Sequence, residues 1–225
     1  MKKADTKITE LYDLTHTMAK DYLMQFTYPW EALAGLSDFI TELGKSLNPE
    51  EYELRGENVW VHKTAVVFDS AYLHGPVIVG PKAQVRQCAF IRESALIGEG
   101  AVVGNSTELK NVILFDAVET PHYNYVGDSI LGYHAHMGAG SITSNVKADK
   151  KHVQIHTEEG DIDTGRKKVG AMLGDRVEIG CGTVLNPGAV VGRDSNVYPL
   201  TSLRGCVDRN SICKRDGEIS PKRED

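Results

Sequence analysis

"VHKTAVVFDSAYLHGPVIVGPKAQVRQCAFIRESALIGEGAVVG", residues 61–104, keeps a beat of six. An aliphatic residue stands at Val61, Val67, Leu73, Val79, Val85, Ile91, Ile97 and Val103 without a missed step. An α-helix repeats every 3.6 residues and a half-buried strand every two, so neither produces six. A short extended segment followed by a corner does. Three such segments close one triangular turn, with the aliphatic residue facing the bore. Small residues fill the place four after the beat, at Ala65, Ala71, Ala83, Ala89, Ala95 and Ala101. Gly often follows the beat, as in "VGPKAQ", "IGEGAV", "VGNSTE", "IGCGTV" and "VGRDSN", where it is expected to accommodate the corner. Turns of this kind stack by parallel strand pairing, each burying its neighbour's face. The expected fold class is an all-β solenoid, a parallel β-helix.

The beat continues at Leu109 and Phe115, resumes at Leu131 and Met137, and runs on through Leu173, Ile179, Leu185, Val191, Val197 and Leu203. Two interruptions stand out. At Pro121–His122 the phase slips, which can place a side chain out of register. Residues 146–168, "VKADKKHVQIHTEEGDIDTGRKK", leave the beat altogether. Within them "VQIHT" and "DIDT" alternate around Glu159–Gly160, the pattern of a hairpin thrown outward. Solenoid insertions collect on the binding face, and loops on a rigid scaffold tend to carry function.

Residues 1–58 lack the beat. Ile8, Leu11, Met18 and Tyr22 suit one face of an amphipathic helix with Asp5 or Thr6 as cap. "YPWEAL" starts a second helix with Pro29 in its first turn, and "SDFITELGKSL" reads as a third, capped by Ser37 and stopped by Gly44. Together they are expected to form a helical cap over an open coil end. The β-helix domain is then residues 59–210. Residues 211–225, charged and poor in apolar residues, are expected to be a loose tail.

The bulk composition excludes several classes. With 41% hydrophobic and 25% charged residues the chain is ordinary for a globular protein. A net charge of −6 argues against a general nucleic-acid or membrane-surface binder. No apolar run is long enough to span a bilayer, and "MKKADTKITELYDL" lacks the apolar core of a signal peptide. The cysteines, Cys88, Cys181, Cys206 and Cys213, show no CxxC spacing. They read as reduced, buried small residues of a cytoplasmic protein.

Three histidines, His122, His134 and His136, lie close together beside "MGAGSIT", residues 137–143. His134 and His136 share a face of an extended segment, as a metal pair would. A tetrahedral zinc site needs a further ligand, and His62, His74, His152 and His156 do not fit the spacing of β-helix zinc enzymes. Alternatively one imidazole is a base, since its ordinary pKa suits proton transfer from an amine. Arg92 and Lys110 are one full coil apart and should stack on one edge. Such neighbours repel unless an anion lies between them or solvent screens them.

The stretch from Arg92 to Lys151 resembles the acetyltransferase domain of the bifunctional glucosamine-1-phosphate N-acetyltransferase/N-acetylglucosamine-1-phosphate uridylyltransferases. The likeness rests on "VGN" at 103–105, Glu108 and Lys110, His122, Tyr125, Gly127 and Asp128, "MGAGSIT", Asn145 and Lys151. "DTGRKKVGAMLGDRVEIGCGTVLNPGAVVG" and "YPWEAL" are similar to the archaeal branch of the same family. The resemblance implies a left-handed coil and a homotrimer with active sites between subunits. It also implies acetyl-CoA as co-substrate and transfer to an amino-sugar 1-phosphate, most simply glucosamine 1-phosphate. It assigns His122 as base, and Arg92, Lys110 and Lys151 to the sugar's phosphate. Tyr125, His136 and Asn145 fall to the sugar-phosphate pocket. Ala139, Cys181 and Pro199 fall to backbone contacts with acetyl-CoA. No metal is implied. Departures are His136 where the family has Asn, and "VKA" after Asn145 where bacterial members have Tyr-Asp-Gly. No Gly-x-Gly-Thr-Arg segment precedes the repeats, so uridylyl transfer is expected to fall to a separate partner. Galactosamine 1-phosphate, a nucleotide-linked amino sugar, or a non-catalytic sugar-nucleotide-binding scaffold remain alternatives.

Overall fold

The computed structural model describes residues 1–215 and 217–222. Its core is a three-sided stack of parallel coils, the left-handed β-helix. The first face stacks Val66–Val67, Gln84–Val85, Val102–Asn105, Glu119–His122, His136–Met137, Glu178–Ile179 and Asn196–Val197 in that order. The second begins with Val59–His62 and Val77–Val79 and ends with Ala171–Leu173, Ala189–Val191 and Cys206–Val207. The third includes Tyr72–Leu73, Ile142–Thr143, Val184–Leu185 and Ser202–Leu203. In the middle coils three long strands, Phe90–Ile97, Glu108–Leu114 and Tyr125–Leu131, continue around the corner from the third face to the second.

Most beat residues point into the bore and are buried, among them Ile91, Leu109, Ile97 and Val103, while Val67 and Leu73 in the early coils are only partly covered. The glycines that follow them have a different role from the one their position suggested. At Gly104 an added Cβ would fall 1.6 Å from the carbonyl oxygen of Pro121 in the next coil, so this glycine admits the close approach of two backbones. Positive φ falls two residues later in "IGEGAV", where Gly100 has φ +66° and open space around it.

The phase slip lies elsewhere than at Pro121–His122. Val77 pairs with Ala95, a full coil on, but Ala95 pairs with Val112, one residue short. The irregularity sits between Arg92 and Ala95. Glu93 and Ser94 make the corner in one coil, Asn111 alone makes it in the next, and Asp128 alone in the one after. All four corner residues have positive φ. His122 itself stays in register, opposite Asn105.

The helical segment covers a side of the prism and not an open end. It forms short turns at Ile8–Leu11, Leu14–His16, Lys20–Leu23 and Pro29–Ala32, then the longer helix Leu36–Ser46. The expected amphipathic helix through Tyr22 is therefore broken in two, with a 3-10 turn between its parts. Along its course the Tyr12 hydroxyl donates to Ile130 O (3.2 Å), Asp116 N donates to His16 O (3.0 Å) and Asn111 Nδ2 to Leu33 O (3.4 Å). Ile130 lies one coil C-terminal to Asp116 and Asn111, which share a coil. Asp175 N donates to Leu11 O on a later coil, and Gly44 packs on Trp60 of an earlier one, so the segment climbs the second face from its C-terminal coils towards Trp60. The N-cap of the last helix is Gly35, not Ser37, and Gly44 lies inside it. A Cβ on Gly44 would meet the Trp60 ring at 2.3 Å. This cover explains why Ile78, Leu96, Ile113, Ile130, Met172 and Val190, between the bore-facing positions of the second face, are buried too. Each such aliphatic side chain gains about 1.5–3 kcal/mol on leaving water. An uncovered stripe of six would be costly.

The insertion forms the expected hairpin, with Gln154–Thr157 pairing antiparallel to Gly160–Asp163. The C-terminal stretch is better ordered than its composition suggested. Ser211–Cys213 continues the first face beside Asn196–Val197, and Ile219–Pro221 returns antiparallel on it. Residues 216 and 223–225 of that expected tail lie outside the described residues. Among the described residues, no helix is long and apolar enough to cross a membrane.

Candidate active site

Arg92 and Lys110 pair in register across adjacent coils, as their spacing predicted. The anion between them is built in. Glu93 places Oε1 3.0 Å from Arg92 Nη1 and Oε2 3.0 Å from Lys110 Nζ. Glu108, one coil below Phe90 on the same face, takes Arg92 Nη2 at 2.8 Å and Nε at 2.9 Å. Lys110, only 12% exposed, also lies 3.8 Å from Asp128. The hydrogen bond from Lys110, with the positive charges of Lys110 and Arg92, holds the Glu93 carboxyl below its usual range.

Asp128, 4% exposed, is the hub of this corner. It accepts from Asn111 Nδ2 at 2.9 Å and from Asn145 Nδ2 at 2.6 Å. The same Asn145 amide donates to the Tyr125 hydroxyl at 3.2 Å. Burial, then the negative charges of Asp128 and Glu108, push the Tyr125 phenol above its ordinary pKa. Arg92, Lys110, Tyr125 and Asn145 thus form one connected polar patch. The corner residues Glu93, Asn111 and Asp128, which complete it, carry no periodic signal; Glu93 could have been suspected only from its place between Arg92 and the next coil.

His122 ends the strand Glu119–His122 on the first face, and Tyr123 and Asn124 then turn the chain onto the third face. The third face runs from that turn to the Asp128 corner, so His122 and Lys110 mark its two ends. Backbone bonds fix His122 firmly. Its N–H donates to Asn124 Oδ1 at 3.1 Å and its carbonyl accepts from Gly140 N at 3.0 Å. Asn124 is buried, its amide donating to Gly138 O and Ser141 O. The imidazole is exposed and makes no hydrogen bond among the described residues.

The other histidines diverge. His136 Nδ1 lies 2.9 Å from Glu178 Oε2 one coil below. His134 sits at a corner with φ 56°, exposed and edge-on to Tyr133. Among the described residues, no group of three or more His, Cys, Asp or Glu is placed to hold a metal ion.

Ala139, Cys181 and Pro199 occupy equivalent places in three successive coils. Gly182 N donates to Ala139 O and Leu200 N to Cys181 O, both at 2.9 Å. Cys181 and Pro199 line a groove of about 280 Å³ with His136, Gly138 and Tyr198. Lys151 is exposed on the first arm of the insertion, its N–H donating to Asp149 Oδ1 at 3.1 Å. The cations that line the larger groove beside Lys110 come instead from the end of that insertion, Arg166, Lys167 and Lys168. The signal for them is "GRKK" at 165–168, a run of three cations whose place beside Lys110 no spacing predicts.

The stacked three-sided coils define a hexapeptide-repeat left-handed β-helix. The chain belongs to the family described as the GMPPB C-terminal domain, which matches residues 73–208. It is similar to the bifunctional protein GlmU of Methanococcus maripaludis strain C5, at 28% identity over 95% of this chain and 52% of the relative. The bifunctional sugar-1-phosphate nucleotidylyltransferase/acetyltransferase of Sulfurisphaera tokodaii is 26% identical over 84% of this chain and 51% of its own. The chain spans about half the length of the curated relatives it matches. Among solved structures, a hexapeptide transferase family protein from Anaplasma phagocytophilum has a TM-score of 0.43 at 17% identity. That match covers 74% of this chain and 80% of the other.

Proposed function

We propose that the chain is a sugar N-acetyltransferase that moves the acetyl group of acetyl-CoA to the amine of an amino-sugar 1-phosphate, glucosamine 1-phosphate being the first acceptor to test. The amine nitrogen attacks the thioester carbonyl, the new C–N bond forms, and the C–S bond breaks to release CoA. His122 accepts the proton the amine gives up and passes it to the departing sulfur. Backbone N–H groups along the coil edge stabilise the tetrahedral oxyanion. Arg92, Lys110 and Lys151 hold the phosphate, Tyr125, His136 and Asn145 line the sugar, and Ala139, Cys181 and Pro199 meet acetyl-CoA through backbone. Homotrimer formation places a neighbouring protomer against this edge and encloses it. A separate uridylyltransferase would consume the product.

The observation that supports the reading is His122, an exposed imidazole on a backbone fixed by a buried amide, in a stretch that resembles the acetyltransferase domain of the bifunctional enzymes. A thiol-release assay with acetyl-CoA tests it across amino sugars with and without a 1-phosphate. Thiol release specific to one phosphorylated amino sugar is the expected result. No release with any member of the panel would overturn the reading.

A further inference from the structure

A groove of about 730 Å³ lies apart from His122, which is not among its lining residues. It follows the corner between the second and third faces. Leu33, Ala34 and Ser37 of the helical cover form one wall, and Gly165–Lys168 of the insertion form another. The floor is the corner itself, with Glu93, Ser94, Lys110, Asn111 and Asp128. Three independent elements therefore meet here, and the cover is tied to the floor by the Asn111–Leu33 hydrogen bond.

The charges of this groove are not balanced. Lys110 is neutralised by Glu93 and Asp128, which leaves the wall formed by Arg166, Lys167 and Lys168. Lys167 and Lys168 are exposed, and no described carboxylate pairs with either. Arg166 Nε is buried without a hydrogen-bond partner, a donor removed from water and left unmatched. Three consecutive cations kept beside a cavity, in a chain of net charge −6, concentrate positive potential where walls of low dielectric strengthen it. A single phosphate would be met by one or two of them. The volume and the row of charges suit a longer anion, and an Arg fork with flanking ammonium groups matches adjacent phosphoryl oxygens.

We infer that this groove binds the diphosphate of a nucleotide, with Arg166, Lys167 and Lys168 as its ligands. The site shares Lys110 with the proposed sugar-phosphate pocket and extends beyond it, but its test is separate from acetyl transfer, because occupancy is measured without turnover. The shared chemistry is a nucleoside-linked diphosphate. It could come from a sugar nucleotide acceptor or from CoA.

Isothermal titration of the full chain at low ionic strength would use inorganic phosphate, pyrophosphate, uridine diphosphate N-acetylglucosamine and CoA as separate probes. Pyrophosphate and at least one nucleotide probe should bind at least tenfold more tightly than inorganic phosphate. Stronger binding of the sugar nucleotide, whose nitrogen already carries the acetyl group, identifies the site of a nucleotide-linked amino sugar in its product form, and stronger binding of CoA identifies the donor. Arg166→Gln with Lys167→Gln and Lys168→Gln should weaken diphosphate binding at least tenfold. Lys167→Glu with Lys168→Glu, which leaves the half-buried Arg166 in place, should do the same if the triple variant fails to fold. Lys20→Gln with Lys45→Gln and Lys63→Gln removes as much charge elsewhere and should change little. Equal binding of phosphate and diphosphate, an insensitive groove variant, or an equal loss in the control would each overturn the assignment. The acetyl-transfer proposal survives all three results, since it is judged by thiol release alone.

Discussion

Glu93 Oε2 lies 3.0 Å from Lys110 Nζ, on the cation to which the proposed function assigns the substrate phosphate. Its other oxygen reaches Arg92 at 3.0 Å. The carboxylate therefore answers, from within the chain, the repulsion between two cations stacked on adjacent coils. Its side chain is 56% exposed, so it can leave without unburying anything. A bound phosphate must compete with it.

Removing that competitor should strengthen anion binding. For Glu93→Gln the expected result is a lower KM for the phosphorylated amino sugar with kcat little changed. Exposed ion pairs of this type contribute about 0.2–1 kcal/mol, so the gain is up to about fivefold. Steady-state kinetics with varied acceptor measures it. A KM that rises would mean Glu93 holds the cations in a working geometry and is no rival of the substrate.

The same carboxylate has a pH signature. Lys110 depresses its folded-state pKa. Its contribution to stability is thus complete above the unfolded carboxylate range and is lost as pH falls through the lower, folded value. Thermal melting of wild type and Glu93→Gln should therefore differ near neutrality and converge in acid. A difference that persists unchanged below the folded pKa would assign the effect to packing.

Lys110→Ala and Arg92→Ala should raise KM for the sugar phosphate at least tenfold while KM for acetyl-CoA stays within about twofold. A charge-assisted contact with phosphate contributes about 1.5–3 kcal/mol. Because Lys110 also touches buried Asp128, Lys110→Met is the companion variant, keeping most of the side chain's length without its charge. Equal movement of both constants would remove these residues from the phosphate site.

The lateral cover gives a prediction about stability. Gly44 packs against the Trp60 ring, where a Cβ would sit 2.3 Å from the nearest ring atom. Gly44→Ala favours the helix by about 0.5–1 kcal/mol, but overpacking costs typically about 1–3 kcal/mol. Clash should win, and thermal melting should fall by a few degrees. An unchanged or raised melting temperature would show that the helix can lift from Trp60 freely.

Much of this architecture was readable because one residue in six reports the bore. The lateral cover also left a trace that the six-residue reading passed over. "VIV" at 77–79, "ALI" at 95–97, "VIL" at 112–114 and "AVV" at 189–191 are unbroken apolar triplets, the mark of strands buried on both sides. Other features had no such trace. The slipped register comes from one corner residue fewer at Asn111, yet the beat still finds an apolar residue at Phe115, because Leu114 and Phe115 are both buried. Glu93 as the anion between Arg92 and Lys110 depends on side-chain reach around a corner, which no periodicity records. For the site, the stacking of Arg92 on Lys110 was legible from spacing, while the gathering of Arg166–Lys168 beside Lys110 depends on the path of a long excursion.

His122 provides the decisive chemical prediction. Its backbone is held by Asn124 and Gly140 irrespective of the ring, so His122→Ala should leave the coil intact and acetyl-CoA affinity unchanged. General-base catalysis contributes typically about 10²–10⁴-fold, and kcat for thiol release should fall by at least about 100-fold on that scale. His122→Asn preserves a polar side chain of similar reach without the basic nitrogen and should be as inactive. The pH–rate profile of the wild type should show an ascending limb governed by an imidazole, and that limb should be missing from the residual activity of both variants. Retention of the limb in His122→Ala would transfer the base to another group, with His136 the next imidazole along the same face.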